Sequence, residues 1–216
     1  MNIAMHSAAT SLYHTGYRAL FCLLFLTLTA CSLPLQSVRP DVYDFGPGKL
    51  ATPPVQKMAP LTALGLAEIE ASAALDSTAV LYRLAYDDTQ KLQPYTLARW
   101  SMPPAQLVRQ RLREHLEQLR PLLNTGDSTA TPLTLRMELE EFSQLFEAPD
   151  QSVGLLHLRA TLTGTRVSGE KLLAQRSIIV QRPAPSADAA GGVRALKAAA
   201  DAAAQEIEQW LMELGV

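Results

Sequence analysis

The chain has 216 residues, 48% hydrophobic and 19% charged, with 19 Lys and Arg against 21 Asp and Glu. That length suits one domain with a real core, and a net charge of −2 offers no basic stripe of the kind nucleic-acid binding requires. The two cysteines, Cys22 and Cys31, and four histidines leave little for disulfide or His-based metal chemistry.

The first feature along the chain is an apolar run from Ala19 to Ala30, preceded by Arg18. It is too short to span a membrane, which takes about 20 residues, and it suits a signal-peptide h-region of about 7–15. Leu28-Thr29-Ala30 stand directly before Cys31, and a Pro-containing polar segment follows. This resembles the bacterial lipobox. The resemblance implies that residues 1–30 are a cleaved signal and that Cys31 becomes the lipidated (palmitate-bearing) first residue. A cleaved signal without lipid and a buried core helix are the competing readings, and translation starts at Met1 or Met5. With Cys22 discarded and Cys31 acylated, no free thiol remains for redox or nucleophilic work. His115 and His157 survive maturation without a nearby ligand set.

Residues 31–41, with Pro34 and Pro40, read as a lipidated tether. At about 3.1 Å per residue in polyproline geometry it reaches roughly 30 Å from the membrane. Ser32 stands where lipoproteins retained in the inner membrane carry Asp, which by resemblance implies the outer membrane.

Val42 to Phe45 alternates and ends at Gly46-Pro47-Gly48, a short strand closed by turn residues. A Pro-rich loop follows, with Pro53, Pro54 and Pro60. Leu64 to Glu70 is a second strand, with Ile69 in phase only after a shift. Thr78 to Tyr86 is a third, and Lys91 to Trp100 a fourth whose Pro94 argues for an edge or a bulge. Asp87-Asp88-Thr89 joins the last two into a hairpin. Ser101 is an N-cap candidate, and Pro103 and Pro104 suit a first helical turn. That helix runs to about Leu119, with Val108, Leu112, Leu116 and Leu119 on one face. Its arginines Arg109, Arg111, Arg113 and Arg120 read as a solvated face, with Arg111–Glu114 and Arg113–Glu117 paired along the surface.

Three alternating strands follow: Leu133 to Glu140, Leu156 to Thr163, and Lys171 to Gln181. They form an antiparallel meander. Residues 183–192 read as a flexible link. Val193, Leu196, Ala200, Ala203, Ile207, Trp210, Leu211 and Leu214 then mark a last helix. The order predicts an α+β fold: a mainly antiparallel sheet covered on one face by two amphipathic helices, in a single globular domain over 42–216.

Chemistry is sparse. Gly164 to Lys171 comes close to a phosphate-binding loop, but Glu170 precedes the lysine, Leu172 replaces the Ser or Thr, and the stretch joins two strands. It reads as a hairpin turn. Glu138, Glu140 and Glu141 cluster on a strand beside a polar-face His157, and the solvated reading outweighs a catalytic one. No catalytic, metal-binding or cofactor-binding residue is assigned. Tyr82, Tyr86, Tyr95 and Trp100 concentrate in the hairpin. Core packing is the default, and Tyr82, Arg99 and Trp100 are the candidates for partner binding, since Tyr, Trp and Arg are enriched at hot spots.

A lipobox, Tyr43-Asp-Phe45, the run from Ala74 through Val80-Leu-Tyr-Arg83, then Tyr95 and Ala98-Arg-Trp100 opening a helix, and the closing Ile207-Glu-Gln-Trp-Leu211 occur in this order. Together they resemble the ABC-type transport auxiliary lipoproteins, the paraquat-inducible protein C group. The resemblance implies a non-enzymatic outer-membrane lipoprotein facing the periplasm. Its implied partners are a mammalian-cell-entry periplasmic protein and an ABC permease and ATPase, which move phospholipid or other apolar molecules between membranes. The Pro-rich loop 52–60 does not fit the pattern. The alternative is a lipid-binding module that holds an acyl chain between sheet and helices, using space beside Ala199, Ala200, Ala203 and Ala204.

Overall fold

The computed structural model describes residues 38–48, 61–124, 132–166 and 169–216. The signal segment, Cys31, most of the tether and the loop 52–60 lie outside those residues. The elements are β1 (Asp41–Tyr43), β2 (Leu64–Ala71), β3 (Ala79–Leu84), β4 (Asp88–Trp100), α1 (Pro104–Leu116), β5 (Leu122–Asn124), β6 (Leu133–Ala148), β7 (Gln151–Arg166), β8 (Gly169–Pro183) and α2 (Ala189–Glu213).

The fold is α+β, and the described strands form one eight-stranded sheet. β6 is its spine. Along one edge it pairs antiparallel with β7, and β7 pairs antiparallel with β8, giving the expected meander. Along the other edge it pairs parallel with two strands lying end to end. β2 covers Leu133 to Leu139, and β3 covers Gln144 to Phe146. β5 adds parallel to β2, and β1 adds parallel to the end of β4. The sheet is therefore mixed, which corrects the mainly antiparallel expectation. A parallel pair needs a crossover of a dozen or more residues, and the chain through β4 and α1 supplies it between β3 and β6. Side-chain alternation looks the same in both kinds of pair, so the sequence pattern does not distinguish them.

The helices cover one face. α2 packs on β6, β7 and β8, and α1 packs on β2 and against α2. Ala105, Leu107, Val108, Leu112 and Leu116 form the buried stripe of α1. The cap of α1 is Pro103 with no side-chain bond, so Ser101 does not cap it; the Ser101 N–H instead donates to the Tyr43 carbonyl at 2.7 Å. The expected surface pairs are in place, Arg111–Glu114 at 3.0 Å and Arg113–Glu117 at 2.8 Å. Arg109, Arg111 and Arg120 depart from the solvated reading: Arg109 donates to the Leu66 and Ala67 carbonyls, and Arg111 to the Phe45 carbonyl at 2.8 Å while pairing with Asp201 of α2. Arg120 is drawn in furthest. It is 3% exposed and donates from Nη2 to the Val216 carbonyl at 2.8 Å, and burial lowers its pKa.

α2 begins four residues before the expected Val193, inside what reads as a link. Asp188 caps it, accepting from the Gly191 N–H at 2.6 Å and from the Ser186 hydroxyl at 2.8 Å. Gly191 and Gly192 are close-approach positions rather than a hinge. A Cβ on Gly192 would run into the Gln144 amide, and one on Gly191 into Ser186. Gly154 on β7 has the same role, since its Cβ would lie 2.6 Å from the backbone of Ala195 and Leu196. Ala195, Ala199, Ala200, Ala203 and Ala204 are all buried. The small side chains therefore let α2 lie close on the sheet.

Two outcomes follow from this contact. Gly154→Ala lowers stability by about 1–3 kcal/mol through overpacking, read by urea unfolding. Asp188→Ala costs about 1 kcal/mol as a lost cap. The Gly191 N–H, then the Ser186 hydroxyl, hold the Asp188 carboxyl below its ordinary range. A depressed folded pKa stabilises above the unfolded value of about 3.9 and is lost as pH falls through the folded one. The gap between wild type and Asp188→Ala therefore narrows below about pH 4.

Candidate functional site

The three residues singled out in the hairpin separate in the structure. β3 and β4 pair antiparallel, as the hairpin reading expects, but with two register shifts, and Pro94 sits beside one of them. Trp100 is 1% exposed and packs against Phe45 and Phe142, with ring centroids 5.8 and 5.7 Å away. Its side chain offers no surface to a partner, because β1 delivers Phe45 onto it and the Tyr43–Trp100 register locks the two strands. Arg99, one residue earlier, points the other way and is exposed. Tyr82 is half-buried, its ring 4.6 Å from that of Tyr95. The Tyr95 hydroxyl donates to Gln144 Oε1 at 2.8 Å, and Gln144 Nε2 donates to Ser152 Oγ at 2.8 Å. Burial, with the charges of Tyr82 and Asp188 adding, raises the Tyr95 pKa and keeps this chain a neutral hydrogen-bond relay. The aromatic group joins the hairpin to β6, β7 and the start of α2.

The face of β6 and β7 opposite the helices carries the acidic cluster. A bulge inserts Glu140 between the Leu139–Leu158 and Glu141–His157 pairs, so Glu140 and Glu141 both face away from the core. Each carboxylate meets a base. Glu138 lies 3.5 Å from Arg159, and Glu140 contacts Arg159 and stands 3.0 Å from His157 Nδ1. Glu141 lies 2.9 Å from Arg83. His157 Nε2 is 2.7 Å from Ser177 Oγ. Glu170, the residue that spoils the phosphate-loop pattern, accepts from the Thr163 hydroxyl at 2.6 Å and pairs with Arg136 at 3.2 Å. The Thr163 hydrogen bond, ahead of Arg136, lowers its pKa. The cluster is a cross-strand charge ladder in which arginines neutralise the acids.

The other histidine, His115, bridges the helices, with Nε2 2.5 Å from Glu208. No group of three or more His, Cys, Asp or Glu among the described residues could hold a metal ion. No helix among the described residues is long and apolar enough to cross a membrane. Two depressions formed by described residues hold about 70 Å³, beside Phe45 and Arg111, and about 130 Å³, beside Glu70 and Arg136. Both fall well below the roughly 300 Å³ at which small-molecule pockets begin.

A family model described as the ABC-type transport auxiliary lipoprotein component matches residues 43–208. Comparison with curated proteins finds no match. Among solved structures, protein XCC0632 from Xanthomonas campestris superposes with a TM-score of 0.65 at 20% identity, covering 81% of this chain and 96% of that one. The crystal structure of an uncharacterized protein superposes with a TM-score of 0.55 at 14% identity, covering 82% and 99%. At these identities the superpositions establish a shared fold.

The split between the two neighbours on β4 is measurable. Trp100→Ala destabilises the domain by about 3–5 kcal/mol, while Arg99→Ala stays within about 0.5 kcal/mol of wild type, both by urea unfolding.

Proposed function

The chain belongs to the ABC-type transport auxiliary lipoprotein family, and from that premise we propose that it is a non-enzymatic accessory subunit of an intermembrane lipid transport system. The family match carries this reading, because it runs from Tyr43 in β1 to Glu208 in α2 and so takes in almost the whole sheet-and-helix domain. In this reading residues 1–30 are removed and Cys31 is acylated. Ser32 directs the protein to the outer membrane, and residues 31–41 hold the globular domain, 42–216, in the periplasm. A mammalian-cell-entry periplasmic protein is its direct partner, and an ABC permease and ATPase complete the system.

The surface chemistry supports docking over catalysis or cargo binding. The acids of the open face are matched by arginines. The described depressions are too small for an acyl chain, and the alanines of α2 are buried against the sheet. The lipid-binding alternative therefore has less support than the accessory role. Arg99 remains a candidate contact; Tyr82 contributes only its half-buried ring edge.

Affinity capture of the intact protein from crosslinked cells tests the role. Wild type recovers the mammalian-cell-entry protein and its transporter, and Cys31→Ala recovers at least several-fold less. Recovery unchanged in Cys31→Ala removes the anchor from the mechanism. Absence of both proteins from the wild-type capture removes the accessory role.

A further inference from the structure

We propose that the outer edge of β8 is a strand-addition site for an extended, acidic and apolar segment of the periplasmic partner. The proposal rests on the accessory role above and specifies where that role is exercised.

β8 has 15 residues and bonds only to β7, so its far edge is unpaired among the described residues. Every second residue along an edge strand turns its N–H and C=O outward, a ready ladder for another strand. Proteins usually blunt such edges, and the rest of this sheet does so. β4 carries Pro94 and an irregular register, and β1 caps its last three residues. β5 is only three residues long. From Ala174 to Gln181 β8 has no Pro, no Gly, no register shift and no capping strand, and its bulge at Leu173 and its Pro183 lie towards the two ends.

The same strand exposes apolar side chains on a face that is otherwise polar. Leu172 is 58% exposed opposite Thr163, and Ile179 is 61% exposed opposite His157. An added strand would cover both. The charges say which kind of strand. Lys171 and Arg182 stand near the two ends of β8, Arg176 between them is paired with Glu213 of α2 at 2.9 Å and lies over the Trp210 ring, and the one acid of the strand, Glu170, is engaged by Arg136 and Thr163. A segment alternating acidic and apolar residues satisfies the backbone, the exposed Leu172 and Ile179, and the basic side chains together.

The experiment uses full-length lipidated protein in nanodiscs with a purified mammalian-cell-entry protein of the same organism. Hydrogen exchange is followed on both sides of complex formation. Binding is expected to slow exchange of β8 amides tenfold or more, and the double variant Leu172→Glu/Ile179→Glu is expected to raise Kd at least tenfold. Lys91→Glu, at an exposed position of β4, is the surface control, with unchanged β8 protection. Binding that leaves β8 exchange unchanged overturns the edge assignment and spares the accessory role. Failure of the two proteins to bind overturns the accessory role and this inference with it. Protection of β8 in the protein alone also overturns the inference. If it grows with concentration, a second copy occupies the edge; if it does not, a segment of the chain itself does.

Discussion

Everything in the sheet depends on β6 being paired on both sides along most of its length. One edge takes β7 along its whole length, with bulges at Glu140 and Glu147, and the other takes β2 and β3 in succession. Where β2 gives way to β3, the edge of β6 between Leu139 and Gln144 lacks a parallel partner. Residues 72–78 leave the edge there, and Leu75 turns inward to fill the core. The Glu140 bulge sits at the same level of β6, and Arg83 reaches back from β3 to Glu141 at 2.9 Å. The bulge resets the phase of β6. Leu133 to Leu139 face the helices on odd numbers, and Phe142, Gln144 and Phe146 do so on even ones. One inserted residue thus lets a single long strand serve two successive partners and still present a continuous apolar face.

Against that face α2 is fitted by subtraction of side-chain volume. Glycines at positions 154 and 192 and the alanine stripe bring helix and sheet into near-backbone contact, and Gln144 fills the remaining gap as a hydrogen-bonded polar group. Between α2 and the sheet, the buried alanines are in direct contact with the strands rather than lining a gap. On the open face of β6 and β7, Glu138, Glu140 and Glu141 are matched by arginines, and among the described strands the outer edge of β8 is unpaired.

Much of this was legible in the residues. The apolar alternation located β2, the hairpin and the meander, the phase slip at Ile69 appears as the β2 register shift, and Arg111–Glu114 and Arg113–Glu117 pair as spaced. What the pattern hid has physical causes. Alternation carries no sign of strand direction, so the parallel pairs were invisible. The adjacent Glu140 and Glu141 break the period, so β6 reads as ending there, whereas it runs on to Ala148. Gly191-Gly192 has the composition of a linker, and only the nearness of Gln144 and Ser186 explains glycine inside a helix. Trp100 has the composition of a hot spot, and only Phe45 and Phe142 reveal it as core. Ile179 carried a signal that was available: an apolar residue between Ser177 and Gln181 on a polar face.

The placement of β1 has a mechanical consequence. It lies at one side of the sheet and β8 at the other, separated by the succession β4, β3, β6 and β7. With strands about 4.8 Å apart, that is roughly 24 Å across the hydrogen-bonding direction. A pull arriving through the N-terminal segment enters along β1, parallel to its pairing with β4, and is resisted as shear with Phe45 wedged behind it. A pull arriving at the edge of β8 acts across its ladder, where the bonds open singly and in sequence. The two sides of the domain therefore differ in grip. The β1 side resists sudden load and the β8 side lets go first, so a steady pull between the two would peel the β8 edge before it sheared β1 from β4.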